Sequence, residues 1–221
     1  KTPDWQKDLT EYWVDTAQRT IIFTDILRKR GNNYIKHIRG GQPPVLTFNY
    51  ELILNAKNFE HPCNYSLVRI SDRRRHEDEL PDDRERRHPS RERIERPKRP
   101  IVIMDPRAGH GPGIGGSKRD SEIGMALEHE HPVYFILFYS EPIPGQTMAD
   151  VIEAIEIFME KIVELHPNAD APAIMGNCQA GWAAAIACAE RPDVAGPLVL
   201  NGAPLSYWSG VAGVNPMRYK G

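Results

Sequence analysis

Four short runs, apolar along nearly their whole length, most constrain what this chain can become: Ile101–Met104, Val133–Tyr139, Ala173–Gly176 and Leu198–Asn201. Helical patterns lie between them. Ser121–Glu130 places Ile123, Ala126 and Leu127 on one side. Thr147–Leu165 sets Met148, Val151, Ile152, Ile155, Met159 and Ile162 on one face, behind a Thr147-x-x-Asp150 capping box. Gln179–Glu190 is a helix of small residues. Strands apolar on both sides must be covered on both sides, and strands alternating with helices are joined by right-handed crossovers. The fold class expected is α/β, with a doubly wound, mostly parallel sheet.

Ahead of this region the pattern differs. Leu9, Trp13, Ala17, Thr20, Phe23 and Leu27 recur at three- and four-residue steps, and Arg28-Lys29-Arg30-Gly31 reads as a basic last turn with a glycine stop. Leu46, Phe48, Tyr50, Leu52 and Leu54 alternate as a half-buried strand, and Tyr65–Ile70 reads as a second one. Residues 1–71 are therefore expected to be a helix plus strand pair covering the core. Residues 72–99 form a separate class: of 28 residues, 11 are basic and 9 acidic, and Leu80 and Ile94 are the only aliphatic side chains. Such a stretch buries too little to offset its ordering entropy, so a solvated, flexible linker is expected. Residues 100–221 carry the α/β region.

Composition excludes several functions. The chain has 221 residues and a net charge of −2, which argues against a generally basic nucleic-acid binder. Its arginine clusters, Arg73-Arg74-Arg75 and Arg84-Glu85-Arg86-Arg87, are interleaved with acids and lack stacking aromatics, so no nucleic-acid partner is expected. The longest apolar runs, Val133–Tyr139 and Ala183–Ala189, fall far short of the roughly 18–20 residues a membrane span needs. Three cysteines (Cys63, Cys178 and Cys188) suit a reducing, cytoplasmic setting better than a disulfide scaffold.

The stretch that carries chemistry is Gly176-Asn177-Cys178-Gln179-Ala180-Gly181, at a strand-to-helix junction where a nucleophile elbow belongs. A sharp turn holds the nucleophile in a strained conformation, so its neighbours must be small for strand and helix to pass closely. Gly176, Ala180 and Gly181 meet that need. The backbone N–H of Gln179 would then face a developing oxyanion, and the helix N-terminus would favour a thiolate at Cys178. The plain alternative is a small buried cysteine at an alanine-rich helix start.

Gly109–Gly116 follows the Ile101–Met104 strand and admits three readings. His110 and Gly111 match the position from which an HG-type loop offers a second oxyanion N–H in α/β-hydrolase-like folds. Gly111–Gly116 also satisfies G-x-G-x-x-G, the spacing of a nucleotide-binding turn, although six residues separate it from the strand and Pro112 removes one amide. The order Gly116-Ser117-Lys118 is wrong for a P-loop. A plain connecting loop is the third reading.

Two phrases carry a resemblance: Met104-Asp105-Pro106-Arg107-Ala108-Gly109-His110-Gly111-Pro112-Gly113 and Gly176-Asn177-Cys178-Gln179-Ala180-Gly181-Trp182. With Arg30-Gly31-Asn32-Asn33-Tyr34 and Pro44-Val45-Leu46, they are similar to a bacterial family of unknown function often labelled poly(3-hydroxyalkanoate) synthetase-like. The second phrase resembles the G-x-C-x-G-G box of poly(3-hydroxyalkanoate) synthases, α/β-hydrolase relatives with Cys in place of Ser; Ala180 replaces the first paired glycine. The resemblance implies an α/β-hydrolase-like fold in which Cys178 takes an acyl group from a thioester such as acyl-CoA and passes it to a hydroxyl, with no further cofactor and no metal. In that fold the acid and the His follow the nucleophile, yet all eight His here precede Cys178. The chain thus reads as the front half of a catalytic domain, inactive alone, with an open sheet edge that would favour a homo-oligomer. Two rival functions stay open: a nucleotide-binding module built on residues 109–116, and a non-catalytic interaction protein.

Overall fold

The computed structural model describes residues 4–71, 97–107 and 112–206, and divides into two units, residues 1–43 and 44–221. Most of the 72–99 linker therefore lies outside the described residues.

The first unit is one helix, α1 (Asp4–Arg39), of 36 residues, none of them buried. It does not stop at Gly31. Glycine ends a helix when it takes the left-handed conformation, and Gly31 does not; Gly41 does, with φ 77°. Gly41 N–H donates to the Ile38 carbonyl (3.1 Å) and Gln42 N–H to the His37 carbonyl (3.0 Å), which closes the helix in a Schellman turn.

The second unit is a six-stranded sheet with helices on both faces. Its strands are β1 (Tyr50–Asn55), β2 (Tyr65–Ile70), β3 (Ile101–Met104), β4 (Val133–Phe138), β5 (Ala173–Asn177) and β6 (Leu198–Asn201), in the order β1-β2-β4-β3-β5-β6. β2 runs antiparallel to both β1 and β4, while β4, β3, β5 and β6 are mutually parallel. The helices are α2 (Glu122–Glu128), α3 (Met148–Leu165) and α4 (Gly181–Glu190). The strand residues sort by parity. Val102, Met104, Tyr134, Ile136 and Ile174 pack under α3 and α4, with Val151, Ile155, Phe158, Ala183, Ala184 and Ala187. Ile103, Val133, Phe135 and Leu137 pack under α2, with Ile123 and Ala126. This double cover is the arrangement the apolar runs require.

α3 starts with the expected box. Thr147 N–H donates to Asp150 Oδ2 (2.6 Å), and Asp150 N–H donates to Thr147 Oγ1 (3.3 Å). Met148, expected on its apolar face, is exposed instead, because it precedes the stretch that reaches the sheet.

The first strand needs correction. The alternation at 46–54 predicts one strand, but β1 begins only at Tyr50. Val45 N–H and Thr47 N–H donate to the carbonyls of Pro112 (2.8 Å) and Gly116 (2.9 Å), so this backbone serves the glycine-rich loop rather than the sheet. A bulge between Leu52 and Leu54 then breaks the alternation and leaves Leu52 exposed. The strand pair is also no separate cover: β2 pairs with β4 along Tyr65–Arg69 and so continues the main sheet.

Candidate active site at the carboxyl edge of the sheet

β5 ends on Gly176-Asn177, and the chain turns through a 3₁₀ segment, Cys178–Ala180, into α4. Asn177 is extended (φ −93°, ψ 132°), Cys178 sits at φ 50°, and Ala180 is already right-handed helical. A non-glycine residue in the left-handed region costs about 1–2 kcal/mol, and such strain collects at functional positions. Cys178 is a free, exposed cysteine.

The flanking small residues are there because backbone meets backbone. A Cβ on Gly176 would stand 2.7 Å from Gly181 Cα and 2.9 Å from Ala184 Cβ. One on Gly181 would stand 2.1 Å from Ala203 Cβ and 3.1 Å from the Gly176 carbonyl oxygen. Ala180 is buried against the same junction. Gln179 is exposed and lies in the 3₁₀ segment just ahead of α4, where the helical N–H ladder has not yet begun. Asn177 Nδ2 donates to Glu122 Oε2 (2.5 Å), which ties the turn to the start of α2.

The neighbouring strand delivers a second set of groups to the same edge. Met104 of β3 stands in register with Gly176 of β5, so the residues just past each strand emerge side by side. Asp105 is buried and accepts the Gly113 N–H at 2.5 Å. Burial pushes its carboxyl up to about 6, against the pull of backbone donors at Gly113, Phe138 and Gly115. Arg107 follows at φ 58°. Its Nε donates to the Tyr65 hydroxyl, and its guanidinium lies 5.5, 5.4 and 4.7 Å from the ring centres of Tyr65, Phe138 and Trp182.

His110 and Gly111 lie outside the described residues. Beyond them, Gly113 (φ 86°) leads into a 3₁₀ segment, Ile114–Gly116. The Gly113 amide is taken by Asp105 and the Gly116 amide by the Gly113 carbonyl (3.0 Å). A phosphate cradle needs free amides, and a buried carboxylate beneath one opposes an anion. These bonds count against the nucleotide-binding reading of this loop.

The other cysteines sit elsewhere. Cys63 is buried, and burial pushes its thiol up to about 11; burial also raises that of Cys188, on α4. Among the described residues, His61, Asp150 and Glu153 are the one group of metal-ligand type, with ligand atoms within 4.8 Å of one another. His61 Nδ1 is already 2.7 Å from Glu153, and Asp150 caps α3, so ordinary pairing accounts for all three.

Residues 15–221 match the family model described as "Protein of unknown function (DUF3141)". The chain belongs to this family. A protein of Rhizobium meliloti, "Uncharacterized protein in ackA 5'region", is 45% identical over 215 residues, 97% of this chain and 27% of that protein. The chain thus spans about a quarter of that relative's length. Among solved structures, MGS-M1, an alpha/beta hydrolase enzyme from a Medee basin deep-sea metagenome library, is similar over 62% of this chain and 49% of its own, with 16% identity and a TM-score of 0.33. No helix among the described residues is long and apolar enough to cross a membrane.

Asp105, Arg107, Glu122 and Trp182 are the site groups that sequence reasoning did not single out. Asp105 alone left a signal, as the first polar residue past a buried strand. The others are gathered by strand register and helix placement.

Proposed function

We propose that Cys178 is the nucleophile of an acyl-transfer site in the whole protein, similar in kind to that of poly(3-hydroxyalkanoate) synthases. One observation carries the reading: an exposed cysteine held at φ 50° on a strand-to-helix turn whose flanking glycines admit no side chain. A turn like this exposes a nucleophile and keeps first-turn amides beside it.

In the first step the Cys178 thiolate attacks the carbonyl carbon of an acyl thioester. The oxyanion forms within reach of the Gln179 N–H, with the 110–111 loop as the proposed second donor. Collapse expels the donor's thiolate, which takes up the proton Cys178 gave up, and leaves the acyl group on Cys178. A hydroxyl acceptor, or water, then attacks the new thioester, and the departing sulfur of Cys178 takes up the proton that the acceptor loses. Acid and base for turnover are proposed for the whole protein.

The test is alkylation followed by acylation. Iodoacetamide is expected to modify Cys178 faster than Cys188, and Cys63 slowest. Incubation with a short acyl-CoA is expected to add one acyl mass, lost in Cys178→Ser. Equal slow alkylation of all three cysteines removes the nucleophile.

A further inference from the structure

Among the described residues, the guanidinium of Arg107 has no acidic partner. Among the described residues no carboxylate lies within 4.0 Å of it, and its one hydrogen bond goes from Nε to Tyr65. Asp105, the nearest acid along the chain, accepts the Gly113 amide through Oδ2, while its buried Oδ1 has no hydrogen-bond partner among the described residues. Arg107 is half-buried, and its guanidinium lies near three aromatic rings, that of Trp182 being nearest at 4.7 Å. Neither Nη group has a protein acceptor among the described residues. An arginine beside aromatic rings, with Nη groups that bond no described residue, suits a carboxylate or phosphate, which it grips with two parallel N–H bonds.

Its position along the sheet relates it to the Cys178 turn. Arg107 lies three residues past Met104 and Cys178 two past Gly176, on neighbouring parallel strands whose Met104 and Gly176 are paired. Trp182, the ring closest to the guanidinium, is four residues after Cys178, in the first turn of α4. Ligands of open parallel sheets bind beyond the carboxyl ends of the strands, where both residues emerge.

We propose that Arg107 binds an oxyanion carried by the acyl donor at the Cys178 site, and so selects anionic substrates. This rests on the reading of Cys178 as the nucleophile. The oxyanion belongs either to a phosphate of the thiol carrier or to a carboxylate on the acyl chain.

The test compares the alkylation of Cys178 by iodoacetate, which is charged, with that by iodoacetamide, which is not. In Arg107→Gln the iodoacetate-to-iodoacetamide rate ratio is expected to fall about five- to tenfold, the effect of one nearby charge lost; Arg107→Lys restores most of it. Arg107→Met, which keeps an apolar stem among the rings, serves if the glutamine variant does not fold. An unchanged ratio in every variant overturns the proposal. Pyrophosphate and succinate, each tested for slowing iodoacetamide in the wild type, separate the two sources. Protection by pyrophosphate assigns a phosphate, protection by succinate alone assigns a carboxylate, and protection by neither overturns the proposal. If Cys178 reacts no faster than Cys188, the nucleophile reading falls by itself. Arg107 is then judged by whether either anion raises the melting temperature of the wild type but not of Arg107→Met; no rise rejects it.

Discussion

Cys178 holds a backbone conformation that most side chains resist, and the residues around it show how the fold tolerates this. Replacing it tests the strain directly. Cys178→Gly is expected to be more stable than Cys178→Ala by about 1 kcal/mol, read from denaturant midpoints, because only glycine adopts φ 50° freely. At Gly176 the sign reverses. Gly176→Ala puts a methyl 2.7 Å from Gly181 Cα, and destabilisation of about 1–3 kcal/mol is expected, with loss of rapid Cys178 alkylation. Asp105 gives a pH signature. Its carboxyl, raised from 3.8 to about 6 by burial, binds a proton in the folded state that the unfolded chain releases. The stability this brings is full below about pH 4 and is lost as pH rises through 6, on the order of 2–3 kcal/mol. Asp105→Asn should flatten that slope in melting temperature between pH 4 and 7, and an unaltered slope would place its origin elsewhere. The turn at Cys178 was legible in the sequence because close packing of strand on helix dictates small residues at fixed offsets. Arg107 and the Asn177–Glu122 bond were not, since each depends on partners some 30 to 75 positions away.

Among the elements, the strands and helices of the α/β region followed from periodicity, because burial on both faces leaves wholly apolar runs and each helix shows one apolar side. The stretch at 46–54 misled for a physical reason. Its alternation is real, but the first residues bond to the glycine-rich loop and a bulge reverses the rest. In α1 the helix runs on through Gly31, where the sequence pattern predicts a stop. Nothing lies within 4 Å of a Cβ on Gly31, so Gly31→Ala should stabilise α1 by about 1 kcal/mol, seen as increased helical circular dichroism on warming. Thr147→Ala, by contrast, removes a capping partner of α3 and should cost about 1 kcal/mol.

For the whole molecule, the sheet explains why two distant stretches of chain act at one place. β3 and β5 are neighbours only because β4 crosses to the far side of β3, which opens the carboxyl edge between them. At the opposite margin β1 presents Tyr50 and Leu52 to solvent. An exposed apolar edge strand invites pairing with another chain, so Leu52→Lys is expected to reduce self-association in sedimentation experiments while leaving the melting temperature nearly unchanged.

The alignment of Met104 with Gly176 works as a ruler for the chemistry above it. Slide one strand by a single position and every side chain on it swaps faces, so the packing beneath the arginine and the sulfur would be lost. Substitutions deep beneath the rim, at Val102 or Ile174, therefore have the means to silence it without touching any group that meets a ligand.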